Sequence, residues 1–239
     1  MKIVNKVNNV NKNVNNRPQG LFTPVCTFVY LFSCLLTLVL NYGILKKGDF
    51  MLLDVLFDQY NGKTIDVDGT AGCQCVDWAK CYIQNCLYIK TYGKGTSPWG
   101  NAIDYYKNPN AKLLKKCKKI PYTKGMQILK GDIVIWDTGT YGHIAVCYSD
   151  SIGDKVLTID QNYGKNKTIR KVQHTRTNIA GVLRPIRTIT ADVNVRSAPS
   201  GNVIGELQKG EKVNIISRWG NWYKIGNGKY IYHTFINAI

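Results

Sequence analysis

At 239 residues and 44% hydrophobic content, the chain is long enough for one ordinary domain plus a small one, and its composition excludes a disordered protein. A formal net charge of +17, from 32 Lys and Arg against 15 Asp and Glu, draws it to polyanions. The basic residues lie scattered between aromatic and Gly-rich stretches rather than in one arm or helix, which argues against a nucleic-acid partner.

Residues 21 to 45 contain no charged side chain and are long enough to cross a bilayer as a helix. The Asn-rich stretch before them carries Lys2, Lys6, Lys12 and Arg17, which would hold the N-terminus inside and place everything after Lys46 outside. The apolar core is long and no small-x-small pattern follows it, so a cleaved signal peptide fits less well. A second reading stands beside the anchor. Lys47-Gly48-Asp49-Phe50-Met51 can be encoded by AAA-GGA-GAT-TTT-ATG, which places AGGAG just before a start codon, so Met51 is a candidate translation start.

From Met51 to Arg184 the pattern is helical first and strand-like afterwards, which predicts an α+β domain. Val55-Leu56-Phe57 and Tyr60 have amphipathic spacing that Asn61-Gly62 ends, and a loop then runs to Gly72. Val76, Ala79, Ile83 and Leu87 form the apolar stripe of a second helix that begins at or beside Cys75. Residues 132–136, 143–147 and 155–160 are short, β-branched and separated by Gly-containing turns, as consecutive antiparallel strands are. Of eight cysteines, Cys73, Cys75, Cys81, Cys86 and Cys117 crowd together without the spacing of a disulfide framework, and read as mostly free thiols made in a reducing compartment. Cys73-Gln74-Cys75 lacks a matching second pair and a nearby His, which disfavours structural zinc.

A cysteine at a helix N-terminus meets the positive end of the helix dipole, which favours thiolate over thiol. Cys75 is so placed. Nucleophilic catalysis also needs a base with a polar group behind it. Of three histidines, His174 lies in a polar run and His233 near the C-terminus, so His143, at the start of an apolar strand, is the best base, with Asp160 or Asn162 to hold its ring. Trp78, Trp99 and Trp136 read as packing rather than site, and Cys147 as a buried thiol. Ahead of Cys75, the residues Asp66, Asp68, Thr70, Gly72 and Asp77 occupy positions 1, 3, 5, 7 and 12 of an EF-hand-like run, so they are candidate ligands of a structural calcium ion. Gly69 stands at position 4 instead of 6, and Asp77 replaces the usual Glu. The competing reading makes Asp66 and Asp68 turn formers and Asp77 a helix cap.

Asp66-Val67-Asp68-Gly69, Gly72-Cys73-Gln74-Cys75-Val76-Asp77-Trp78, Gly100-Asn101-Ala102, Lys130-Gly131-Asp132-Ile133, Gly142-His143-Ile144-Ala145-Val146 and Asp160-Gln161-Asn162 resemble the CHAP family of cysteine amidases and peptidases. The resemblance implies a papain-like fold. It also implies cleavage of peptidoglycan, at the muramic acid to L-alanine amide or at a bond of the peptide stem or cross-bridge. It makes Cys75 the nucleophile, His143 the base, Asp160 the orienting residue where many relatives carry Glu, Gln74 the oxyanion-hole residue and Asn162 a nearby polar position. No redox cofactor is required, and some phage lysins of that family bind calcium in the corresponding loop.

Past Pro185 to Ala191, read as a short linker, residues 192–239 alternate β-prone runs with turns and predict a small barrel. Asn194-Val195-Arg196-Ser197-Ala198-Pro199, Gly210-Glu211-Lys212-Val213, Asn221-Trp222-Tyr223-Lys224 and Tyr230-Ile231 resemble bacterial Src-homology-3-like domains, which implies a tether to the wall, with Trp222 and Ile231 in its core. The expected partners are peptidoglycan and the polyanionic teichoic acids, with no nucleic acid, and the expected state is a monomer. With Met51 as the start, an endolysin-like enzyme would stay cytoplasmic until host lysis; with residues 1–50 kept, it would be membrane-anchored with the enzyme outside. The competing class is a non-catalytic, membrane-anchored wall-binding protein.

Overall fold

The computed structural model describes residues 52–93 and 99–237. The apolar stretch 21–45 and the candidate start at Met51 lie outside them. Among the described residues no helix is long and apolar enough to cross a membrane.

Among the described residues four helices come first: α1 (Leu53–Tyr60), α2 (Cys75–Cys86), and the short α3 (Asp104–Lys107) and α4 (Ala111–Leu114). Strands follow as β1 (Cys117–Pro121), β2 (Ile133–Trp136), β3 (His143–Cys147), β4 (Lys155–Asp160), β5 (Arg170–Thr175) and β6 (Ile179–Pro185). They form one antiparallel sheet in the order β1-β6-β2-β3-β4-β5, so the three strands expected from the sequence are neighbours in chain order. β2 and β3 are nearly continuous apolar runs because both sheet faces are covered. Ile133 and Ile135 pack with Ile144, Val146 and Ile159 on the core that contains Trp78 and Tyr82 of α2. Val134 and Trp136 join Ala145, Cys147 and Val182 in a second, smaller core.

The remaining strands are β7 (Arg187–Thr188), β8 (Val193–Arg196), β9 (Val203–Leu207), β10 (Lys212–Val213), β11 (Ser217–Trp219), β12 (Trp222–Gly226) and β13 (Lys229–Tyr232). Five of them form the sheet β11-β12-β13-β8-β9, and β7 pairs with β10. The stretch read as a linker therefore carries a strand of the barrel: Arg187 lies opposite Val213, and Ile189 bridges Ile236. Ile231 is fully buried in the barrel core, as expected. Trp222 is not; it is half-buried, with its ring edge-on to Tyr232 at 5.2 Å. A β-barrel this small has room for little more than the Val and Ile side chains that fill it.

Leu129, from the segment before β2, is buried in that same barrel core. Beside it Arg184, on β6, is almost wholly enclosed. Its Nη2 donates to Asp132 Oδ2 at 2.7 Å and its Nε to Oδ1 at 2.9 Å, while Nη1 donates to the Ile215 and Ile216 carbonyls of the barrel at 3.1 and 2.7 Å. Gln127 extends the joint, accepting from the Arg218 backbone N–H at 2.5 Å and donating to its carbonyl at 3.2 Å.

Candidate active site

Cys75 is the first residue of α2, and the helix start is fixed by Asp77, whose carboxylate accepts from the backbone N–H groups of Gln74 at 2.7 Å and Val67 at 3.2 Å. The Cys75 thiol is half-buried and lines the same groove as His143, whose imidazole it helps to raise. Gly142 sets up the approach to His143 at a φ of +72°, and a Cβ there would lie 2.8 Å from both the Ile103 side chain and the Trp136 carbonyl. Only glycine fits that turn.

His143 Nε2 lies 2.5 Å from Asp160 Oδ1, which leaves Nδ1 for the Cys75 sulfur. The residue that meets the His143 ring is thus Asp160. Asn162, the other candidate, turns away: it adopts a left-handed φ of +58°, which Asn tolerates, and its Nδ2 donates to Gln74 Oε1 at 2.8 Å. Asn162 therefore fixes Gln74. The Gln74 amide donates one of its two N–H groups to the Ala71 carbonyl at 2.7 Å, and the other is free to point at a substrate oxygen.

Burial works against a charged His143, but the hydrogen bonds with Asp160 and Cys75 outweigh it and raise the imidazole to about 10. Burial likewise opposes charge on Asp160, yet the hydrogen bonds from two imidazoles, His143 and His174, hold its carboxyl below the usual range. The arrangement therefore favours an imidazolium with a carboxylate behind it. It opens on a groove of about 1020 Å³ lined in part by Gln74, Val76, Trp99, Asn101 and Tyr141.

The sequence reading missed three side chains of this cluster. His174 donates to Asp160 Oδ2 at 2.7 Å, Thr158 Oγ1 donates to the same oxygen at 2.5 Å, and Trp136 packs its ring 5.6 Å from His143 and 4.7 Å from His174. Trp136, set aside as packing, thus packs against the candidate base. Trp78 is fully buried core, Trp99 lines the groove, and Cys147 is buried.

In the loop before α2, one carboxylate oxygen each of Asp66, Asp68 and Asp77 lies within 4.8 Å of the others, a donor set that suits a hard cation. The loop also shows the competing features: Asp66 accepts from Gly69 N–H at 2.8 Å, Asp68 accepts from Thr70 N–H at 2.9 Å, and Asp77 caps α2. The buried Lys80 ammonium pairs with Asp68 and, against the cost of burial, holds that carboxyl low. Thr70 and Gly72 lie in the same loop.

Residues 65–162 match the family model of the CHAP domain, and residues 191–236 that of the bacterial SH3 domain. The chain carries a CHAP domain followed by a bacterial SH3 domain. The CHAP match encloses Gln74, Cys75, His143, Asp160 and Asn162, and ends before His174. Among solved structures, the chain is similar to the wild-type endolysin LysIME-EF1, with 29% identity over 57% of this chain and a TM-score of 0.47. The chain spans about 64% of that endolysin's length. A second similar structure, Ly7917, is 18% identical over 66% of this chain and 82% of its own, with a TM-score of 0.38. No curated protein matches.

Proposed function

We propose that the chain is a peptidoglycan hydrolase whose CHAP domain cuts an amide bond with Cys75 as nucleophile. The observation that carries this reading is that Cys75, at the start of α2, and His143, backed by Asp160 at 2.5 Å, line one open groove. The CHAP family match supports peptidoglycan as the substrate class. In this mechanism the Cys75 thiolate attacks the amide carbonyl carbon, and the developing oxyanion takes hydrogen bonds from Gln74 and a backbone N–H. His143 gives its proton to the amine, which leaves. The imidazole then takes a proton from water, whose oxygen attacks the thioester and frees the acid and the thiolate. Asp160 keeps the ring aimed throughout. The bacterial SH3 domain tethers the enzyme to the wall, where the positive charge of the chain also favours teichoic acid.

Mass spectrometry of fragments released from purified Gram-positive peptidoglycan tests the reading. Stem peptides freed from glycan mark an amidase and cross-bridge fragments an endopeptidase; no release from a range of walls would favour the non-catalytic wall-binding protein. The raised His143 adds a pH prediction. The proton needed by the leaving amine stays on the ring through neutrality and is lost as pH passes about 10, so cleavage by folded protein is expected to fall there. A fall centred on the ordinary imidazole value of 6.5 would contradict the paired state.

We further propose that Asp66, Asp68, Thr70, Gly72 and Asp77 hold a calcium ion, with Lys80 released from Asp68, and that the ion braces the loop that leads into Cys75. Chelation is then expected to lower the melting temperature, with recovery on adding calcium. Identical melting curves with and without chelator would leave the loop to Lys80 and its hydrogen bonds alone.

A further inference from the structure

His174 lies outside the CHAP match and has no part in the mechanism above, yet it is buried and its Nε2 meets Asp160 Oδ2 at 2.7 Å. We propose that His174 is a positioning residue of this site, which holds the second oxygen of Asp160 so that the first stays aimed at His143. The proposal rests on Cys75 and His143 being the reacting pair.

The strand register supplies the placement. Trp136 lies opposite His143, Cys147 opposite Thr158 and Val156 opposite His174, so alternation puts Trp136, His143, Thr158, Asp160 and His174 on one face of the sheet. A carboxylate on a short side chain can swing about its Cβ–Cγ bond, and one hydrogen bond to His143 does not fix its plane. Here Oδ1 faces His143 while Oδ2 accepts from both His174 and Thr158, which removes that freedom. His174 is itself held in place. The Trp136 ring lies 4.7 Å from it, Tyr163 meets it edge-on at 4.4 Å, and the same two rings stand 5.6 and 5.5 Å from His143. Two imidazoles thus share one carboxylate inside one aromatic enclosure. The titratable groups of the unit are Cys75 on α2, His143 on β3, Asp160 on β4, His174 on β5 and Tyr163 in the loop after β4.

A side chain that merely fills space and one that holds Asp160 predict different results for two variants. His174→Phe keeps a ring of similar size and loses the donor; His174→Gln keeps a donor. Two readouts apply: wall-cleavage kinetics, and the pH dependence of Cys75 alkylation by iodoacetamide, with fragment-ion mapping to separate Cys75 from Cys73. His174→Phe is expected to lower kcat on the order of 10²-fold with little change in KM, because a small misplacement of the base suffices for that. It should also displace the alkylation profile to higher pH, and His174→Gln should recover most of both. Wild-type kcat and profile in a folded His174→Phe protein would overturn the proposal, as would equal losses in both variants with an unmoved profile. If His174→Phe does not fold, His174→Leu, smaller and equally unable to donate, takes its place. Alkylation needs no wall substrate, so a displaced profile in a protein that releases nothing from walls would sustain the coupling and sink the hydrolase reading instead.

Discussion

Cys75→Ala is expected to reduce fragment release from peptidoglycan at least on the order of 10³-fold, because loss of the nucleophile removes the covalent route and leaves only binding and the oxyanion donors. Folding should be nearly unaffected. Cys75 is half-buried at the groove and α2 is started by the Asp77 carboxylate rather than by the thiol, so the stability change should stay within about 1 kcal/mol. A second signature accompanies the loss of activity. Cys75 is one of the groups that raise His143, so its removal should move the imidazole down from about 10 toward its ordinary value, observable by NMR titration. Wall cleavage by folded Cys75→Ala protein would refute the assignment of the nucleophile.

Arg184→Ala should destabilise the protein by about 3–5 kcal/mol, the range found when one partner of a buried ion pair is removed. Asp132 is fully buried, and burial pushes its carboxyl up even with Arg184 present. Without the guanidinium the buried carboxylate loses its ion pair and keeps only the Leu129 N–H and the field of Arg187, and the Ile215 and Ile216 carbonyls lose their donor. These contacts also tie the barrel to the sheet. The variant should therefore unfold earlier in denaturant, and Arg184→Ala with Asp132→Ala should recover part of the loss. A loss below about 1 kcal/mol would mean that Asp132 finds another partner.

Much of the candidate site was legible because its chemistry depends on local positions. The apolar stripe from Val76 to Leu87 starts a helix at Cys75, and only His143 among three histidines begins an apolar strand. His174 was hidden by its setting in Lys171-Val172-Gln173-His174-Thr175. That run looks polar, yet its alternate residues Val172 and His174 face inward although β5 is an edge strand. The alternation is visible in the sequence, but the carboxylate waiting for the imidazole belongs to another strand.

Local pattern by itself determined the α+β order, the helix that carries the thiol, the barrel after it and the separation of Cys75 from His143 by strands that could bring them together. Tertiary structure placed Asp160 rather than Asn162 against His143, because two residues two positions apart in the chain face different partners once β4 ends in a left-handed turn. It also turned Arg184 from a charge beside an expected linker into a buried joint, and placed Trp222 beside Tyr232 rather than in the barrel core. The physical reason is common to all three. Periodicity records which side of its own element a residue occupies, while burial of a polar group depends on whether a partner from elsewhere in the chain arrives to satisfy it.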